Sequence, residues 1–182
     1  MSAQTTTIGT AAAAIVDALR EHFADRMQQI GFYDPFDEFT ESAESTLLTP
    51  ALLLGMDDGF DPLPLIDTGL DEQIPDPTGR LPLRCYWSVR CVLSTETENL
   101  QQELPTLAAA VCGLVLESGA ATNDLLPRRG NDWDLGNAVE MPEAVEARPG
   151  GFSDGAHGWD SWIVSWSQIL YTDGSLPAPG LP

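Results

Sequence analysis

Two histidines, three cysteines, five tryptophans and a long run of carboxylates are the residues of this chain whose types could do chemistry. Nucleophilic catalysis needs a nucleophile, a base and a group that orients the base. His22 falls within a helical pattern, at the border of its apolar stripe, and reads as a packing residue. His157 lies in the stretch GFSDGAHGW, where residues 151–155 read G-x-S-x-G around Ser153. That motif makes a nucleophile elbow only between a strand and a helix, and these Gly-rich surroundings promise neither. No catalytic constellation emerges, and the chain reads as a non-enzyme. Asp57, Asp58, Asp61, Asp67, Asp71 and Glu72 supply many oxygen ligands. An EF-hand counted from Asp57 needs Glu at its twelfth position and finds Thr68. No metal or cofactor is expected. A phosphate loop of the G-x-x-x-x-G-K-[ST] kind is excluded, since the chain has no Lys.

Charge narrows the partners. Eight Arg face 28 Asp and Glu, a net charge of −20 over 182 residues. Nucleic-acid surfaces neutralise phosphates with clustered Lys and Arg, and anionic lipid attracts the same residues; both are disfavoured. No apolar run approaches the roughly 18–20 residues of a membrane span. The N-terminus lacks a basic segment ahead of its apolar stretch and does not read as a signal peptide. Cys85 and Cys91 fall six residues apart on an alternating pattern. They share one face at a separation too long for a disulfide, so the thiols are expected free, in a reducing compartment.

The elements that position these residues follow from periodicity. Over residues 10–30, Ile15, Leu19, Phe23, Met27 and Ile30 recur at helical steps, with Gly31 placed as a stop. Residues 32–46 read as an acidic, aromatic loop. Residues 47–56 form a short apolar strand with Pro50 near its start or at an edge. Residues 57–80 form a long acidic, Pro-rich loop. Residues 81–95 alternate strictly: Leu83, Cys85, Trp87, Val89, Cys91 and Leu93 on one face, Arg84, Tyr86, Ser88, Arg90 and Val92 on the other. A second amphipathic helix runs from Leu100 to about Ser118, started or kinked at Pro105. Residues 119–137 are rich in turns. Residues 139–148 suggest a strand, and 159–171 a stronger one, with Trp162, Val164, Trp166, Gln168 and Leu170 on one face. Trp159 falls at its entry, where aromatics anchor interfaces.

The expected fold is α+β: a two-layer sandwich in one domain. Two helices pack on one face of a mostly antiparallel four-stranded sheet, in the order helix-strand-strand-helix-strand-strand. The globular core spans about 10–172, residues 1–9 and 173–182 are extended tails, and the acidic loops need a partner to offset the entropy of ordering them.

That order, the acidic loop ahead of a W-S-V-R strand (Trp87 to Arg90), the opening helix IVDALREHF (Ile15 to Phe23) and the closing strand W-I-V-S-W-S-Q (Trp162 to Gln168) resemble the tail terminator, or tail-completion, proteins of long-tailed bacteriophages and prophages. The resemblance covers about residues 10–172. It departs in the length of the 57–80 loop and in the Pro-rich tail. It implies a virion protein of the tail and neck, assembled in the bacterial cytoplasm as a homohexameric ring. The ring caps the head-proximal end of the tail tube, stops its growth and joins it to a neck or head-completion protein. DNA would pass through the lumen unbound, and acidic residues there repel phosphate. Asp57, Asp58, Asp61, Asp67, Asp71 and Glu72 are candidates for that lumen or for the tube-facing surface. Arg84, Arg90, Arg128, Arg129 and Arg148, with Trp159, are candidates for inter-subunit or partner contacts, since the planar guanidinium suits bidentate carboxylate pairing. Other readings are a head–tail connector, neck or tail-tube subunit and, in a different class, an acidic DNA mimic that inhibits a nucleic-acid enzyme.

Overall fold

The computed structural model describes residues 4–33, 47–63, 79–117, 130–150 and 158–173. Within them the order is α1 (Ile8–Phe23), β1 (Gln29–Phe32), β2 (Ala51–Gly55), β3 (Phe60–Pro62), β4 (Leu81–Ser94), α2 (Leu100–Leu116), β5 (Glu143–Pro149) and β6 (Trp159–Thr172). The class is α+β, with two helices and one six-stranded sheet. The sheet is mixed. Its order is β1-β2-β4-β6-β5, with β3 also pairing β4. The β1–β2 pair is parallel and the other pairs are antiparallel.

Two strands therefore exceed the expected four-stranded antiparallel sheet, and each has a local cause. The first helix stops at Phe23 rather than continuing to Ile30. A turn follows, and Pro50 O accepts from Gln28 N at 2.8 Å. This brings Gln29–Phe32 alongside β2, in register Gln29↔Ala51 to Phe32↔Leu54. The apolar residues Met27 and Ile30 satisfy helical spacing and strand burial equally well, so periodicity alone extends the helix too far. The second extra strand lies inside the expected 57–80 loop. Gly59 adopts φ 71°, and its carbonyl accepts from Tyr86 N at 3.1 Å. Phe60, Asp61 and Pro62 then pair with Cys85, Arg84 and Leu83. The chain leaves β2 at Gly55, opposite Ser88, and rejoins the same edge of β4 lower down.

α1 starts two residues earlier than its apolar pattern. Thr7 is its N-cap, and its hydroxyl accepts from Thr10 N at 3.0 Å. Residues ahead of it are engaged: Thr6 N donates to Tyr171 O at 2.9 Å. α2 runs unbroken through Pro105 from Leu100. Pro105 falls in its second turn, so the helix neither starts nor ends there.

Both helices press on one face of the sheet. Ala11, Ile15, Val16, Leu19 and Phe23 of α1 join Leu104, Leu107, Ala108, Val111, Leu114 and Val115 of α2 in a single apolar core. The sheet contributes Leu52, Leu54, Leu83, Cys85, Trp87, Val89, Cys91, Leu93, Val164, Trp166 and Leu170. These include the alternating residues of β4 and β6, matched across the ladder as Trp87↔Trp166 and Val89↔Val164. Each such large side chain stabilises the fold by about 1.5–3 kcal/mol when fully buried.

Candidate functional site

The opposite face of the sheet carries no helix among the described residues, and the polar half of the β4 alternation falls there. Register assigns Arg84, Tyr86, Ser88, Arg90 and Val92 of β4 to this face, beside Ile169, Ser167, Ser165, Ile163 and Ser161 of β6. β5 adds Glu143 opposite Ser167, Glu146 opposite Ser165 and Arg148 opposite Ile163. The face has two parts. At the β2 end, Ala51, Leu53 and Val92 are buried with Tyr33, Leu47 and Trp159 packed against them. Toward β5 it opens, and Glu143, Glu146 and Arg148 are exposed.

The arginines gather here. Arg90 stacks over the Tyr33 ring at 4.2 Å, and Arg80 over Tyr171, another residue of this face, at 4.0 Å. Arg84 Nη2 meets Glu143 Oε2 at 3.6 Å, while Arg84 Nε is buried with no hydrogen-bond partner among the described residues. Arg148 is exposed and has no ion pair among them. Thus four of the six described arginines belong to this face; Arg20 and Arg26 belong to α1 and the turn after it. Its carboxylates are Asp61, Glu140, Glu143 and Glu146. Tyr86 Oη donates to Asp61 Oδ2 at 3.0 Å, Ser165 Oγ to Glu146 at 3.3 Å, and Tyr171 Oη to Glu140. The acceptor role of Asp61 holds the Tyr86 phenol above its ordinary pKa of 10.0. Among the described residues, four arginines thus gather beside these four carboxylates, and Asp58 is near enough to raise the Tyr86 phenol as well. Ser88 and Ser161 add two buried hydroxyls without partners among the described residues.

The sequence candidates are thus divided. Arg84, Arg90, Arg148 and Asp61 meet on one surface. Asp57 and Asp58 are exposed in the turn between β2 and β3. Trp159 is half-buried against Ala51, Leu53 and Val92 rather than standing clear of the sheet. Arg128, Arg129, Asp67, Asp71 and Glu72 lie outside the described residues, as do Ser153 and His157. His22 is on the helix side, with Nε2 3.4 Å from Glu117. Cys85, Cys91 and Cys112 are free thiols. Burial raises all three, Cys85 to about 11 and Cys91 further still, so they are protonated and poor nucleophiles at neutral pH.

Sequence reasoning missed one polar cluster. Trp133 and Asp134 both take left-handed φ, 55° and 59°. Asn131 Oδ1 accepts from Trp133 N at 2.8 Å, and Asp132 Oδ1 from Asp134 N at 3.2 Å. These two successive Asx turns aim Trp133 into the core, where it is 5% exposed. Its Nε1 donates to Gln168 Oε1 at 2.8 Å, and Gln168 Nε2 donates to the carbonyls of Asn131 and Glu140 at 3.1 and 2.7 Å. The available signal was Gln168 itself, a polar residue on an otherwise apolar strand face. Beside this turn a cleft of about 410 Å³, open to solvent, is lined by Thr5, Thr6, Thr7, Thr10, Asp134 and Asp173, among others. No group of three or more metal-ligating side chains is placed together among the described residues. No described helix is long and apolar enough to cross a membrane.

No family profile matches the chain, and no curated protein matches it.

Proposed function

We propose that this chain is a structural subunit of a bacteriophage tail, one that assembles as a homohexameric ring, caps the tail tube at its head-proximal end and joins it to a neck or head-completion protein. The observation that carries the reading is the segregation of charge. An acidic protein that must pack against copies of itself needs at least one surface where like charge does not oppose the contact. The candidate for that surface is the helix-free side of the sheet, which bears four of the six described arginines: Arg80, Arg84, Arg90 and Arg148. The segments Ile15 to Phe23, Trp87 to Arg90 and Trp162 to Gln168, which resemble tail terminators, support the same reading. In it, the ring presents one face to the tube and a different one to the neck, as a cap on a heterologous stack must. DNA passes through the lumen without specific binding, and the site of action is the virion.

The test is native mass by light scattering together with negative-stain imaging of the purified protein at low and moderate salt. Six-membered rings with a central hole are expected. A monomer or dimer at every concentration and salt would overturn the reading.

A further inference from the structure

We propose that Asp58–Gly59 is a site of self-modification: the Gly59 nitrogen closes on the Asp58 carboxyl, and reopening of the imide leaves an isoaspartyl bond that loosens β3. The inference stands apart from the ring-subunit reading.

The chemistry needs an aspartyl carboxyl free to turn toward the main chain. It also needs a following nitrogen that is free of hydrogen bonds and shielded by no side chain. These conditions meet in the turn between β2 and β3. Asp58 is exposed, and its carboxylate has no ion pair among the described residues. The Gly59 carbonyl accepts from Tyr86 N at 3.1 Å, but its own N–H donates to nothing among the described residues. The left-handed φ of 71° at this position selects glycine. The conformation that the turn requires therefore also removes the side chain that would shield the nitrogen. Beyond its chain neighbours, no described atom lies within 4 Å of where a Cβ at Gly59 would stand.

The other described aspartates fail at least one condition. Pro62 after Asp61 has no N–H. The nitrogens after Asp25, Asp132 and Asp134 donate to Phe23 O, Asn131 Oδ1 and Asp132 O. Asp17 and Asp160 lie within α1 and β6, whose ladders fix the backbone. Asp57 is followed by a residue with a side chain.

In the step itself, the Gly59 nitrogen gives up its proton and bonds to Asp58 Cγ, while a carboxyl oxygen leaves as water. Water then returns at either carbonyl of the cyclic imide. Attack at Cγ restores Asp58; attack at the main-chain carbon routes the chain through the side-chain carboxyl. Composition is unchanged and no oxidant or reductant takes part. The isoaspartyl product carries one extra methylene in the main chain just ahead of Gly59. Gly59 O then shifts from Tyr86 N, and Asp61 from the Tyr86 hydroxyl. β3 is three exposed residues long, so little else holds it against β4.

The full chain is held at neutral pH for several weeks, cut with trypsin and read by electron-transfer fragmentation, which separates isoaspartate from aspartate. The peptide between Arg26 and Arg80 contains a single Asp-Gly. Isoaspartate at position 58 is expected, with a heavy oxygen taken up when the incubation is made in heavy-oxygen water. Asp58→Glu, which would need a larger ring, should lose the signal. An unmodified Asp58 in the native chain, whether or not urea-unfolded chain converts, would overturn the inference. Isoaspartate in the same peptide of Asp58→Glu would overturn the assignment to this residue. Hydrogen exchange on converted chains reads the consequence: the protection of Tyr86 N–H should be lost. Protection kept at the unconverted level would overturn the loosening of β3.

Discussion

Gln168 shows how much one side chain holds in this molecule. Its amide accepts from the Trp133 indole and donates to two backbone carbonyls, tying the 130–140 turn to the centre of β6. Gln168→Leu fits the apolar face but orphans an indole N–H and two carbonyls. Each buried group left unpaired costs about 1–3 kcal/mol, and neighbouring effects overlap, so a loss of about 2–4 kcal/mol is expected in urea unfolding. A change below about 0.5 kcal/mol would mean the network contributes little. The thiols give a second residue-scale expectation. With their pKa values raised by burial, Cys85 and Cys91 should stay inert to a chromogenic disulfide reagent at neutral pH. Half-buried Cys112 should react slowly, and all three should react at once in denaturant. Their placement was legible beforehand, because strict alternation set Cys85 and Cys91 on the core face. Trp133 was not legible: its burial depends on two Asx turns, whose geometry follows from φ values that composition does not reveal.

Among the elements, β4 and β6 were readable almost to the residue because period-two alternation over fourteen positions in each has no helical counterpart. The short strands β1 and β3, four and three residues long, carry too few cycles to show a period. What defines them is pairing to β2 and β4, a long-range fact. β3 is held in part by the Tyr86–Asp61 hydrogen bond, and the sign of its pH dependence follows. The phenol is raised in the folded chain, so its proton is lost first from unfolded molecules as pH climbs past the ordinary tyrosine range. The contact therefore contributes fully below that range and is lost above it. Spectrophotometric titration of Asp61→Asn should show one tyrosine step moved to lower pH relative to wild type; superimposable curves would show that Asp61 does not set the Tyr86 pKa. At the start of α1, Thr7→Ala removes the acceptor for Thr10 N. Loss of such a cap typically costs ~1 kcal/mol, measurable as a lower denaturation midpoint at unchanged slope.

At the scale of the whole molecule, the two layers assign different tasks to the two sides of one sheet. The helix side builds the core and presents acid outward. The other side spends few apolar residues on stability toward β5 and collects four of the six described arginines. The charge total was visible from composition and alternation set Arg84 and Arg90 on one face, but only the register adds Arg148 to it. A protein of this charge should associate more readily as salt screens the repulsion between copies, over a Debye length of about 10 Å at 0.1 M, until the same screening weakens the specific pairs. The proposed role makes a demand that no isolated chain meets: recognition of the end of a tail tube. The most direct measurement adds the purified protein to polymerising tail tubes and images them by negative stain. Extra density at one end of each tube and an arrest of elongation at that end are the predicted result. Tubes that continue to lengthen with both ends bare would contradict it.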